Sequence, residues 1–589
     1  RSIRLPRMDA FAAQNHGGMN GMMHIDIMTQ PGSGPLRGSI DGSFQDDSMN
    51  ARNPFTPAKG AEQFRQYGMS LFGTITPNKT SFSLNIGGTS QYTSPNVLAV
   101  LADGTTVADS FRAPSDVMNM NVRLDHALNA EHSIRASFDR SSRDSRNQGI
   151  GGFNLIDRAF RSESETNTLR ISENGPLGRR MFTESRLQLI FGSSSSRSDI
   201  ESTTVRVLDR FTTGGAQMRG GQDRFDLELA SDLDYVRGAH SWRVGGLIEG
   251  GRYKSDDISN YLGTYTFATI DDYLSGKPSS FTRRIGDPNI TYSRWQAGLY
   301  VQDDWRVSRS LMVSAGVRAG FQTLAEDQVN LSPRVNMGWS PFRSGNLTLR
   351  AGYGYFYDWI SGDLYKQTLQ VDGFRQRELN VINPSYPEIP GEGTSSVTNQ
   401  YLWSDSLTLP TSHRFNVGAD RQFSQNSRMN IAYTYGWGRG LLRGSNLNAP
   451  VDGVRPDAAF ANIVSLVSDA EAKSHSVNVG WSLTKFEWKR SFFFANYTWS
   501  KSDTNTTGAF SLPANGDNLD TEWGPSGGDT RHRASASMSM APINNMSLSL
   551  NLRAQSGSPY NITTGRDDNR DGLFNDRPDG TPRNSARTD

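Results

Sequence analysis

Cysteine is absent from the 589 residues. That excludes disulfides, thiolate zinc sites, iron–sulfur clusters and cysteine nucleophiles. Long apolar runs are absent too, and none approaches the ~18 residues of a transmembrane helix. An excess of either charge is lacking, since 61 Lys and Arg face 60 Asp and Glu. A globally basic nucleic-acid binder and an acidic tail are therefore excluded. Apolar residues make up only 35%, although 58 glycines bring the share near that of folded chains. The eight histidines (His16, His24, His126, His132, His240, His413, His475 and His532) form neither H-x-x-x-H nor H-E-x-x-H. No P-loop and no G-x-S-x-G elbow occurs. The chain opens on Arg1-Ser2-Ile3-Arg4, with no start Met and no signal peptide, and closes on a polar run ending at Asp589. Both ends read as cut, so a piece of a longer protein is expected.

What is present is alternation with period two. From Leu347 the odd positions read Leu347, Leu349, Ala351, Tyr353, Tyr355, Tyr357 and Trp359. The even positions read Thr348, Arg350, Gly352, Gly354, Phe356 and Asp358. An apolar face opposite a polar or small one is the signature of a strand. Trp295, Ala297, Leu299, Val301, Trp305 and Val307 share a second such face, with Asp303 the exception. It resumes after Ser308–Ser310 as Leu311, Val313, Ala315, Val317, Ala319 and Phe321. Further hairpins are expected around Ser424–Arg428 and Asn129–His132, and no long helix is expected.

A soluble sandwich or a propeller also alternates. Three features favour a barrel in a membrane. The strands reach the ~9–11 residues needed to cross a bilayer at a tilt. Their second face carries Gly, Ser, Asn and Arg, as a wet lumen allows, and aromatics gather at strand ends. Connections at Ser308–Ser310, Ser424–Arg428 and Asn544-Asn545 are short, whereas Gly362–Ser404, Gly440–Lys473 and Ser502–Asp529 are long and polar. Barrels of the outer membrane have short periplasmic turns and long outer loops. Trp305 is thus expected near the periplasm, and Tyr353–Trp359 near the outside.

The run Gly298-Leu299-Tyr300-Val301-Gln302-Asp303-Asp304-Trp305-Arg306-Val307, followed by Gly316-Val317-Arg318 and Leu331-Ser332-Pro333-Arg334-Val335, resembles TonB-dependent outer-membrane receptors. The nearest group is the Oar-like type, which carries an upstream carboxypeptidase-regulatory-like domain. Gly263–Phe267, Asp272–Pro278, Asp529–Arg533, Ser556–Thr563 and Asn575–Pro578 fit the same family in order. Gly17–Gly21 and Ile25–Thr29 look like the last strand of its plug domain, and Asn50–Phe55 like the stretch after its first barrel strand. Gln30-Pro31-Gly32 stands where the family commonly has a Lys-Ser-Gly turn.

The resemblance implies an all-β fold: a large antiparallel transmembrane β-barrel of the 22-strand type, incomplete here, with long extracellular loops. Residues 1–35 would be the end of the plug and 36–589 the barrel, lacking its final strand or strands. It implies uptake of a scarce siderophore, vitamin, glycan or peptide across the outer membrane of a Gram-negative (diderm) bacterium. The implied partners are outer-membrane lipid and the TonB energy-coupling complex, reached through a segment absent from this sequence. The alternatives are a passive porin or surface-structural adhesin barrel, and an outer-membrane enzyme.

No residue is assigned a catalytic role, no cofactor is required, and the ligand-binding residues carry no code. One metal candidate stands out. Asp567, Asn569 and Asp571, followed by Gly572, have the D-x-N-x-D-G spacing of a calcium loop, and Asn575 follows. The twelfth position is Pro578 rather than an acid, so Asp576 or Asp579 would have to substitute. Asp and Asn are equally at home in a metal-free turn. Arg318 and Arg350 could steer an anion or pair with lumen acids, and pairing is the expected role. Tyr365, Phe374, Tyr386, Tyr401 and Trp403 could stack on a ligand or pack the loops.

Overall fold

Strand Ile290–Trp305 shows how alternation builds the wall. Its even residues Tyr292, Gln296, Tyr300, Gln302 and Asp304 are buried inside, while Trp295, Leu299, Val301 and Trp305 are exposed outside. Leu299 keeps 70% of its surface open, which in a membrane is surface for lipid. The computed structural model describes residue 11 and residues 31–52, 54, 59–326, 329–391, 398–485, 491–516, 518–541, 543 and 546–587. The expected plug strand, Gln30 of the junction after it and the Asn544-Asn545 turn lie outside the described residues.

The main sheet has 21 strands. Two are short accessories, Thr398–Trp403 and Gly524–Pro525; the others form an antiparallel meander from Arg37–Asp46 to Leu548–Gln555. Each long strand pairs with the next one in the chain, as in Leu311–Gln322 against Asn330–Trp339. Among the described residues no pairing joins the first strand to the last. No described helix is long and apolar enough to cross a membrane.

Connections alternate in length. The chain turns at 77–79, 128–132, 178–180, 238–239 and 425–426 on one rim, and runs through 94–112, 199–220, 256–289, 358–410 and 505–531 on the other. The first rim is therefore periplasmic. Residues 31–36 reach the first strand on that side: Gly32 accepts a hydrogen bond from Asn78 N at 2.9 Å.

Two sequence expectations need correction. Residues 440–473 are not all loop, because Ser427–Asn446 and Phe460–Thr484 keep their ladder far above the membrane. Thr398–Trp403 then adds to that extension in parallel. Strand Leu347–Tyr357 ends before Trp359. Trp359 packs with Leu407, Leu409 and Leu466 under the outer loops instead of facing lipid.

The outer loops form a folded cap. Phe211–Thr213, Thr204–Val207, Thr264–Phe267, Ser280–Gly286 and Gln376–Ile382 make a five-stranded sheet. Its core holds Val97, Ile150, Phe211, Tyr265, Phe267, Phe281 and Val381. The sequence motif from Gly263 to Phe267 is thus an organiser of the cap. Gly263, at φ +90°, lies under the Phe281 ring, where a β-carbon would stand 2.1 Å from that ring.

Candidate ligand site at the extracellular mouth

The mouth is narrowed by helix Gly362–Gln370, carried by the longest outer loop. Ser361 caps it by accepting from Asp363 N at 3.3 Å. The loop root is gripped by the lumen wall. Buried Gln322 donates to the Ile360 carbonyl at 2.8 Å and accepts from Ile360 N at 2.9 Å. On the helix, Lys366 reaches Asp257, just past wall strand His240–Ser255, at 2.8 Å, and Gln222 of the neighbouring strand Gly221–Arg237 at 3.4 Å. Tyr365 continues an aromatic chain: Tyr253 stacks on Tyr292 at 5.0 Å, Tyr292 meets Tyr365 edge-on at 5.9 Å, and Tyr365 meets Trp403 at 5.2 Å.

Between this helix and the cap sheet lies a cavity of about 350 Å³, lined by Arg284, Asp363, Lys366, Gln370, Glu378 and Tyr401. Burial, and then the Glu378 carboxylate, raise the Tyr401 phenol above its ordinary range. It therefore stays a hydrogen-bond donor at neutral pH. Both charge signs and several amides line the cavity, a surface suited to a polar ligand. No nucleophile–base pair of the kind acyl transfer needs is apparent in this lining.

Below the mouth the lumen wall carries paired charges. Arg243 binds Asp234 at 2.5 and 2.8 Å, and Arg186 binds Glu228 at 2.8 Å. The hydroxyls of Tyr253 and Tyr300 donate to Asp226 and Asp232. Arg350 pairs with Asp420, which also takes Arg428 at 3.2 Å. The pairing expected for Arg350 is thus what the structure shows. Arg318 is buried, with its guanidinium 5.9 Å from the Tyr300 ring. Farther round, Phe356 points into the lumen, and Phe11 packs on it at 6.1 Å between ring centres. Gly352 and Gly354 make room there, since a β-carbon at Gly352 would stand 2.8 Å from the Phe11 ring.

Most loop aromatics prove to be packing. Tyr386 meets Phe267 at 5.3 Å in the cap core, and Tyr401 meets Phe510 at 5.2 Å. Phe374 is 76% exposed.

Asp567, Asn569 and Asp571 share one turn, closed by its own hydrogen bonds. Gly572 N donates to Asp567 at 3.0 Å, Asp571 N to Asn569 at 3.0 Å, and Leu573 N to Asp571 at 2.8 Å. Asn575 turns its amide toward the carbonyls of Leu512 and Pro513, both at 3.3 Å. Asp567 Oδ1 and Asn575 Oδ1 are buried without a donor. Burial, and then the Asp567 and Asp576 carboxylates, raise the Asp571 carboxyl. Among the described residues no three His, Cys, Asp or Glu side chains gather as a metal centre. The motif residues have a mechanical role. Arg577 clasps Glu522 at 2.7 Å, and buried Asp529 takes Arg531 at 3.0 Å and Arg587 at 2.5 Å. These pairs fasten the last described segment to loop 505–531.

A meander wall with a lipid-facing apolar belt, a wet paired lumen and a folded outer cap is a transmembrane barrel of the outer membrane of Gram-negative bacteria. The sequence matches the outer membrane beta barrel domain family over residues 92–328 and 319–589, and the chain belongs to that family. The fold is similar to the outer membrane transporter YddB from Escherichia coli, with a TM-score of 0.65 at 13% identity, covering 86% of this chain and 65% of that one. The chain thus spans about two thirds of that transporter. It is also similar to the siderophore receptor PirA from Pseudomonas aeruginosa (TM-score 0.54, 12% identity, 90% and 73% covered). A variant of the ferric enterobactin receptor PfeA from the same organism, solved with enterobactin, gives 0.59 at 14% identity, with 94% and 73% covered. These are transporters and receptors, not enzymes. No curated protein sequence matches the chain.

Proposed function

We propose that this chain is the transport barrel of a TonB-dependent receptor of the Oar-like type, with residues 1–35 the end of its plug and 36–589 the barrel. One observation carries the reading: Phe11, from the N-terminal segment, lies inside the lumen against Phe356 and over two glycines. An N-terminal residue seated inside the lumen is what a plugged transporter needs and a passive porin does not. A lumen of ~20 or more strands leaks unless it is filled. The ligand, a siderophore, vitamin, glycan or peptide, would be met by the mouth around helix Gly362–Gln370. TonB would supply the energy that releases it.

Two measurements test this. The complete protein in a planar bilayer should be electrically silent. Its host should take up labelled ferric siderophore, cobalamin, glycan or peptide only while the TonB complex is intact. A steady open conductance, or uptake that ignores TonB, would instead establish the porin. Absence of both conductance and uptake would support an adhesin.

The Asp567 turn supplies a second proposal, calcium held by Asp567, Asn569, Asp571 and Asn575. The two buried oxygens without donors favour it. Calcium takes six to eight oxygen ligands, so Asp576 would have to join them.

A further inference from the structure

All six described histidines lie on the outward face of the wall, in two belts. His126, His132 and His240 stand at the periplasmic rim. There His132 binds Glu173 at 2.5 Å and His240 binds Asp303 at 2.6 Å, which accounts for the one acid in that apolar row. The outer-rim belt is a repeat. His413 stands opposite Tyr355, His475 opposite Tyr435 and His532 opposite Trp499. In each case the tyrosine two residues before the opposed aromatic bonds the imidazole Nδ1: Tyr353 at 2.9 Å, Tyr433 at 2.9 Å and Tyr497 at 2.8 Å.

The consequence lies at the other nitrogen. When the phenol donates to Nδ1, the ring proton sits on Nε2; when the ring is protonated, both nitrogens donate. No protein partner takes Nε2 of these three rings among the described residues. Cations share the rim. Exposed Lys473 stands between Trp437 and Asp503, with its ammonium 5.3 Å from the Trp523 ring and no ion pair to an acid among the described residues, Asp503 being taken by Lys501. Lys501 stands opposite His475 and pairs with Asp503 at 3.2 Å. Arg439 lies over Trp437 at 4.7 Å and reaches Glu471 at 3.5 Å. Directly below runs the lipid belt, with Phe415 and Ile431 exposed.

We propose that this rim, from His413 to His532, is a docking surface for a phosphorylated lipid of the outer leaflet, its phosphates met by successive imidazole Nε2 donors, two strands apart, and by Lys473. The surface continues the lipid-facing wall, so an outer-leaflet lipid is already its neighbour. N–H donors and an ammonium above an aromatic belt complement a phosphate at headgroup height.

The test uses the complete protein reconstituted in nanodiscs of phosphatidylcholine doped with bisphosphorylated lipid A or with its dephosphorylated counterpart. Native mass spectrometry reads the lipid retained. The wild type should prefer the phosphorylated form. The variant H413F/H475F/H532F/K473M, which removes every N–H donor, should lose that preference, about fivefold of it through the one cation, Lys473. The periplasmic-rim variant H126F/H132F/H240F should keep it. Equal retention of both lipids by the wild type, or an unchanged preference in the outer-rim variant, would overturn the proposal. K473M alone provides a second reading should the quadruple variant fail to fold, since one exposed substitution leaves the wall intact.

Discussion

Arg334 and Arg414 come from the two strands flanking Phe356, and both carry their guanidinium over its ring, at 4.4 and 4.7 Å. Both arginines stand in register with Gly354. The aromatic ring therefore rests on the glycine step of its own strand, held from either side. Phe11 docks on a ring that is already fixed.

Phe356→Ala should loosen that contact. An aromatic pair contributes about 0.5–1.5 kcal/mol beyond its buried area, so Phe11 should leave its lumen site about tenfold more often. Brief openings in planar-bilayer recordings, and faster cleavage of the first thirty residues by added protease, would show it. Gly352→Val should act in the same direction by occupying the space of the Phe11 ring. Silent recordings from both variants would remove Phe11 as a lumen contact.

The cap should fail separately from the wall. Gly263→Ala forces a side chain into a left-handed conformation and into the Phe281 ring. Tyr265→Ala empties a buried site, at a cost of about 3 kcal/mol. Amide exchange should rise across Thr204–Val207 and Thr264–Phe267, while the barrel strands keep their protection. A global loss of the folded band on electrophoresis would mean that cap and wall fold as one unit.

Lys366→Ala frees helix Gly362–Gln370 from Asp257. Asp257 is half exposed although Lys366 is largely buried, so the pair contributes about 1 kcal/mol. Ligand affinity should fall a few-fold, with the maximal uptake rate unchanged. A spin label at Gln367 would report the added motion, and an unchanged spectrum would show that Gln322 and Ser361 suffice to hold the helix.

The Asp567 turn should respond to acid and to calcium alike. Its Asp571 carboxyl is raised in the fold, so the folded turn binds its proton more tightly than the open one does. The raised value makes the turn less stable once pH climbs past it, and that loss is relieved as pH falls toward the ordinary carboxylate range. Nicking between residues 565 and 580 should therefore slow on mild acidification. Millimolar calcium should slow it at neutral pH, and Asp567→Asn should abolish the calcium effect. Acid protection without calcium protection would leave the turn a metal-free clasp.

Much of the wall was legible in the sequence, because a two-residue period fixes which side chains share a face. Ile290–Trp305 and Leu311–Gln322 were readable as a hairpin, and Trp305 as periplasmic. The cap was not legible. Gly263–Phe267 and Phe281 alternate too little to announce a core, and their partners Val97, Phe211 and Val381 lie far away in the chain. The histidines show the same limit. Scattered at irregular spacing, they suggested no shared role, because each is defined by the strand beside it.

The sequence by itself determined a cysteine-free chain whose alternating strands give one apolar and one wet face. Lipid and a watery lumen each need only one such face, which is why 35% apolar residues suffice. Only the tertiary structure decided what meets across the strands: Phe11 on Phe356, Gln322 on Ile360, Tyr353 on His413. Sequence sets parity along a strand, but register between strands and the return of loops over the mouth are set by hydrogen-bond ladders between distant segments. No local pattern encodes those.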